Sequence, residues 1–253
     1  MGGMSESLTA ALLVSLRLAA CLAFAQPFTL LRVPVTVRVL LAVGLALWLV
    51  DARPALTTDR LAGHGLVTLF LGELMVGLSI ALALQLAFGA ILWAGRVLDV
   101  QAGFGLAMLA DPTTQEEQPL AGTILAYGAA AVFFTTGAQY DLLALWVASL
   151  EALPLGYGLL QPDMAALMRY IGSLFFVAMG LVGAAMLAIF LADVVIAFLS
   201  RTLPQMNVLL LGFQVKALVM LLTLPISIAV GGALFVRIVR LALAAPPTYW
   251  GAR

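Results

Sequence analysis

Residues 80–95 read Ile-Ala-Leu-Ala-Leu-Gln-Leu-Ala-Phe-Gly-Ala-Ile-Leu-Trp-Ala-Gly, with Gln85 as the one polar side chain. A strand of a membrane barrel alternates apolar and polar residues with period two. This run does not alternate. Continued upstream, it belongs to an apolar stretch over 61–94, longer than the roughly 20 residues a transmembrane helix needs. Comparable stretches occupy 8–31, 39–50, 120–150, 164–199 and 207–244. The second is short and must borrow from Val35 onward to span. Polar turns separate them: 51–60 with Pro54, 151–163 with Pro154 and Pro162, and 200–205 around Pro204. About six membrane-length segments predict an all-α, multi-helix integral membrane protein, read as one domain over 1–253.

Composition agrees. Of 253 residues, 64% are apolar and 9% charged, where a soluble domain carries roughly 25% charged. A soluble protein cannot cover its surface with so few charges, and disorder requires the opposite balance. Twelve basic and twelve acidic residues cancel, leaving no basic face for nucleic acid. One cysteine, Cys21, and one histidine, His64, exclude a disulfide, a thiolate metal cage and paired-histidine zinc chemistry. No phosphate-binding glycine loop ending in Lys-Ser/Thr is present. No metal, cofactor or catalytic set is therefore expected. The first ten residues carry Glu6 and no Lys or Arg, so the first apolar stretch is expected to be retained. Arginines divide almost evenly between alternate loops, so the positive-inside rule gives no orientation.

The most unusual stretch is 101–118, QAGFGLAMLADPTTQEEQ. Gly103 and Gly105 each weaken a helix by about 1 kcal/mol, and Pro112 disfavours helix at Asp111. Non-helical backbone at membrane depth is tolerated only against protein or around a water-filled cavity. One reading is a loop that lines or plugs a pore, with Phe104, Leu106, Met108 and Leu109 as an apolar seal. The other is an ordinary interfacial connector.

Asp193 and Lys216 form a second candidate. Each stands about 10–12 residues from Pro204, hence roughly 15–19 Å from the turn at 1.5 Å per residue. An antiparallel hairpin brings them to similar depth, where pairing relieves the cost of burying either charge. The pair reads as a proton or ion relay or as a structural clamp holding the hairpin. Arg17 and Glu73 are the remaining intramembrane charges. Glu73 lies between Gly72 and Gly77, where small residues permit close helix approach, and its partner is Arg17 or another subunit. Gln85 and Gln214 are placed to bond across helices.

Two stretches make the chain recognisable. One carries LADPTTQEEQP (109–119) followed by VFFTTGAQYDLLALWVASLEALPLG (132–156). The other is SRTLPQMNVLLLGFQVK (200–216). Together they resemble the FliR family of flagellar export-gate proteins, over essentially the whole chain. The homologous SctT family of injectisomes shares the Asp/Asn-Pro loop, while Pro204-Gln205-Met206-Asn207 and Leu153-Pro154-Leu155-Gly156 lean to the flagellar branch. Gln214 departs from the pattern, since many members carry proline after Gly212-Phe213.

The resemblance implies a subunit of the type III export gate in the bacterial inner membrane, at the flagellar basal body. It implies helical hairpins assembled with FliP-like and FliQ-like subunits and contact with an FlhB-like switch protein. Unfolded flagellar proteins would be the cargo. The loop over 103–116 would plug the channel, and Arg17, Gly72, Glu73, Gly77, Pro204, Gln205, Asn207 and Gly212 would pack helices or subunits together. The family does not itself hydrolyse ATP. An independent small-solute transporter would need a midplane site and inverted halves, which the sequence does not show clearly. An intramembrane enzyme would need a catalytic cluster that one histidine cannot supply.

Overall fold

The computed structural model describes residues 2–54, 65–104, 119–157, 159–202 and 208–250. Among them the regular structure is entirely helical: α1 (Gly2–Phe24), α2 (Val35–Ala52), α3 (Leu66–Ala102), α4 (Leu120–Thr135), α5 (Ala138–Ala152), α6 (Met164–Thr202), α7 (Val208–Val230), α8 (Gly232–Ala244) and α9 (Pro246–Tyr249). Five are long and apolar enough to cross a membrane: α1, α2, α3, α6 and α7. The broken pair α4 and α5 makes a sixth if it counts as one span. The α3 and α6 helices hold 37 and 39 residues. At 1.5 Å per residue each reaches about 55–60 Å, against a hydrocarbon core of about 30 Å.

Helix ends differ from the limits of the apolar runs, for local reasons. The first run extends to 31, but α1 stops at Phe24, ahead of Pro27. Its last carbonyls are capped from elsewhere: Arg38 Nη1 donates to Ala23 O (2.7 Å) and Leu22 O (3.3 Å), and Gln85 Nε2 donates to Phe24 O (2.6 Å). The long run over 120–150 breaks at Gly137, whose φ of 79° starts a new helix. The last run breaks at Gly231, and α8 then separates its buried Phe235, Ile238, Val239 and Ala242 from the exposed Arg237 and Arg240. Pro225 stays inside α7 without ending it.

The chain forms two compact units. The first comprises Met1–Ala87, Phe133–Ile171 and Val239–Arg253. In it α1 buries Ala10, Val14, Arg17, Leu18 and Cys21, the stripe expected of a helix packed on one face. Helix α2 buries only Ala42, Ala46, Leu49 and Val50, and leaves Leu40, Leu47 and Trp48 exposed. Gly77 of α3 lies against the backbone of Arg17 and the Ala20 side chain, a crossing that only glycine permits. The end of the chain is sewn into the same unit. Tyr249 Oη donates to Ser79 O (2.7 Å), Trp250 Nε1 to Ser79 Oγ (2.8 Å), and Asp163 N to Tyr249 O (2.9 Å). Burial pushes the Tyr249 phenol up, so it remains a donor. Asp163 also caps α6 through Ala165 N (2.8 Å) and Ala166 N (3.1 Å).

The second unit comprises Phe88–Val132 and Gly172–Ile238. Trp93 of α3 meets Phe175 of α6 edge-on, with centroids 5.1 Å apart. Gly95 of α3 and Gly122 of α4 touch backbone to backbone. Much of α6 and α7 is left open: Phe176, Phe190, Phe198, Leu218, Leu222 and Val230 are all exposed, and only 17% of the α7 span is buried.

The crossing at Gly77 yields a prediction. Gly77→Val forces α1 and α3 apart and costs about 1–3 kcal/mol or more, as overpacking does. Gly89, with open space around its Cα, is the control. Thermal melting of the detergent-solubilised protein is expected to fall for Gly77→Val and to hold or rise for Gly89→Ala.

Candidate functional site

Three charge-bearing places stand out, and each lies within one unit. The first is the stem of the unusual stretch. Helix α3 runs to Ala102, about two turns past the end of the apolar run at Ala94. It closes at Gly103, whose φ is 93°. Gly103 N donates to Val100 O (3.2 Å) and Phe104 N to Asp99 O (3.0 Å), the paired bonds of a Schellman cap. Gly103 thus finishes a helix rather than weakening one. Phe213, in the Gly-Phe motif after Gly212, packs directly on Gly103 and leaves no room for a side chain there. On the return side, both carboxylate oxygens of Asp99 lie 3.2 Å from Ala121 N in the first turn of α4. Asp99 and Ala121 are both buried. Gly105, Leu106, Met108, Leu109, Asp111 and Pro112 lie outside the described residues, as do Pro204, Gln205, Asn207 and His64.

The second place is Arg17, 1% exposed in the middle of α1. Its Nε donates to Glu73 Oε2 (2.6 Å), its Nη1 to Ser149 Oγ (3.0 Å) and its Nη2 to Leu153 O (2.9 Å). The guanidinium therefore joins α1, α3, α5 and the residue that ends α5. Ser149 passes its own proton to Trp146 O (2.6 Å). Of the two partners open to Glu73, the structure provides Arg17. Gly72 is buried one residue before it, and Gly77 four residues after it makes the close contact on Arg17's own backbone.

The third is Lys216 and Asp193, on α7 and α6. Lys216 Nζ stands 3.1 Å from Asp193 Oδ1. The Asp193 side chain is 50% exposed and that of Lys216 19%. Their surroundings are apolar and open, with Phe190, Val194, Val195 and Leu218 all exposed. Gly212 is buried and sits in ordinary contact with Ile196 of α6. Among the described residues no three His, Cys, Asp or Glu side chains gather where a metal ion would fit.

Sequence reading missed Asp99, Ser149, the Leu153 carbonyl and the contact made by Phe213. Asp99 lies just past the apolar run that ends at Ala94, and its partner stands 22 residues further on. Ser149 and the Leu153 carbonyl carry no sequence mark that assigns them to an arginine 132 and 136 residues earlier. The contact of Phe213 with Gly103 is equally non-local.

The Arg17 cluster makes a sharp test. Arg17→Met strands Glu73 in a buried site, at a cost of about 3–5 kcal/mol, whereas replacing both members of a buried pair costs far less. Yield and melting temperature in detergent are expected to fall more for Arg17→Met than for Arg17→Met combined with Glu73→Met. Equal loss in both contradicts the pairing.

With this geometry in place, comparison with known proteins is informative. The family described as bacterial export proteins, family 1, matches residues 8–242. The flagellar biosynthetic protein FliR of Escherichia coli K12 is 25% identical over 195 residues, 76% of this chain and 72% of its own length. FliR of Bacillus subtilis 168 is 26% identical over 192 residues, 72% and 70% of the two chains. The secretion system apparatus protein SsaT of Salmonella typhimurium LT2 is 29% identical over 167 residues, 64% and 62%.

Proposed function

The chain belongs to the bacterial export proteins of family 1, and we propose that it is a membrane subunit of a type III protein export apparatus of the flagellar kind. The family match over 8–242 carries this reading. The structure supplies physical support. An ion pair whose Asp193 carboxylate is half exposed among open apolar side chains suits neither lipid nor water, and it suits a protein neighbour. Helices of about 55–60 Å outreach a bilayer and have surface to share with other subunits. The neighbours we propose are FliP-like and FliQ-like subunits and an FlhB-like switch protein, in the inner membrane at the flagellar basal body. The cargo is unfolded flagellar protein.

The stretch over 103–116 is proposed as the channel plug. Phe104, Leu106, Met108 and Leu109 form its apolar seal, with Asp111-Pro112 ending the apolar part. A hydrophobic constriction stops ions by excluding water, and flexible methionine lets such a seal deform and reclose. Two anchored stems, one closed by Gly103 and one capped at Ala121, favour this over a slack connector. The likeness to SsaT favours a second reading, the same role in an injectisome of the SctT kind.

Deleting the gene is expected to abolish export of flagellar hook and filament proteins while general secretion continues. Loss of host-directed effectors instead selects the injectisome reading, and intact export of both overturns the assignment. Removing residues 105–114 is expected to leave the subunit in its complex but make membrane vesicles leak potassium. Unchanged conductance counts against the plug.

A further inference from the structure

We propose that Asp99 is the positioning residue of the loop. Its side chain ties the first turn of α4 to the last turn of α3, and so sets the spacing of the two stems. This rests on the plug reading above.

The inference starts from an N-terminus with no cap of its own. Pro119 O accepts the first helical bond of α4, from Thr123 N (2.8 Å), so Pro119 stands at the N-cap position. Proline has no side-chain acceptor to offer the free N–H groups of the first turn. Ala121 N is one of those groups, in a residue with no exposed surface. Asp99, 2% exposed, supplies the missing acceptor with both oxygens. The acceptor oxygens also face the positive end of the α4 dipole.

The same residue's carbonyl accepts Phe104 N and closes the cap of α3. One residue therefore accepts the bond that ends one stem and the bond that begins the other. The backbone contact of Gly95 with Gly122 gives a second tie one turn earlier on α3. A change in stem spacing has to break the buried Asp99 bond.

The test uses the assembled complex in its native membranes, read by potassium leak from vesicles and by co-purification of the partner subunits. The set is Asp99→Asn, Asp99→Ala, Asp99→Ala with Pro119→Ser, and the 105–114 deletion with and without Asp99→Ala. Asp99→Asn keeps an oxygen acceptor and is expected to stay as tight as the parent. Asp99→Ala is expected to assemble and to raise the leak about tenfold, the scale of one buried hydrogen bond. It is expected to add nothing to the deletion. Pro119→Ser gives α4 a local cap, so it is expected to restore yield without restoring tightness.

A tight Asp99→Ala beside a leaking deletion overturns the positioning role. So does recovery of tightness by Pro119→Ser, which makes Asp99 a local cap only. Failure of Asp99→Ala to assemble with or without Pro119→Ser overturns it too, by making Asp99 a general folding residue. A deletion that does not leak overturns the plug reading itself, and the positioning role falls with it.

Discussion

Inside hydrocarbon there is no water to satisfy a polar group, so every donor must find an acceptor within protein. The guanidinium of Arg17 meets that constraint three times over, on Glu73, Ser149 and the Leu153 carbonyl. The rest of the first unit follows from it. Helices α1, α3 and α5 must converge where arginine's fork reaches them. Gly77 must be small so that α3 can approach the backbone of Arg17, and Ser149 must turn its proton back to Trp146 O to leave an oxygen free. The terminal Tyr249 and Trp250 obey the same constraint on Ser79.

The second unit treats its charges differently. Asp99 is buried and does the work of a helix cap, joining two stems. Lys216 and Asp193 are paired, with Asp193 left half open among apolar side chains. A buried charge whose bonds are complete belongs to the architecture of one chain. An open pair on an apolar face belongs to a surface that something else covers. That contrast, with the length of α3 and α6, is why an assembly fits this chain better than a solitary transporter.

The fold class was legible because apolar runs such as 80–95 admit no period-two reading, and because about six segments reach membrane length once 39–50 borrows from Val35 onward. Element ends were less legible. The chain's apolar character passes straight through Gly137 and Gly231, so hydropathy does not mark those breaks; at Gly137 the positive φ does, and at Gly231 only the end of one helix and the start of the next. At Gly103 the glycine was visible and its meaning was not: a residue that disfavours helix interior is also the one that best terminates a helix. Arg17, Glu73, Asp193 and Lys216 were legible as unusual, since each is costly at membrane depth, whereas Asp99 was passed over. The partners were not legible, because Arg17 reaches Ser149 and Asp99 reaches Ala121 through tertiary structure that no local spacing encodes. Only the hairpin of α6 and α7 let depth be read by counting from the turn.

The most direct test of the central claim is the composition of the particle that the tagged chain forms when extracted from its native membranes in a gentle detergent. Mass spectrometry and sizing of that particle should find one large complex holding FliP-like and FliQ-like membrane proteins beside this chain. A clean monomer or homodimer, with neither partner, would contradict the account and return the open faces of α6 and α7 to lipid.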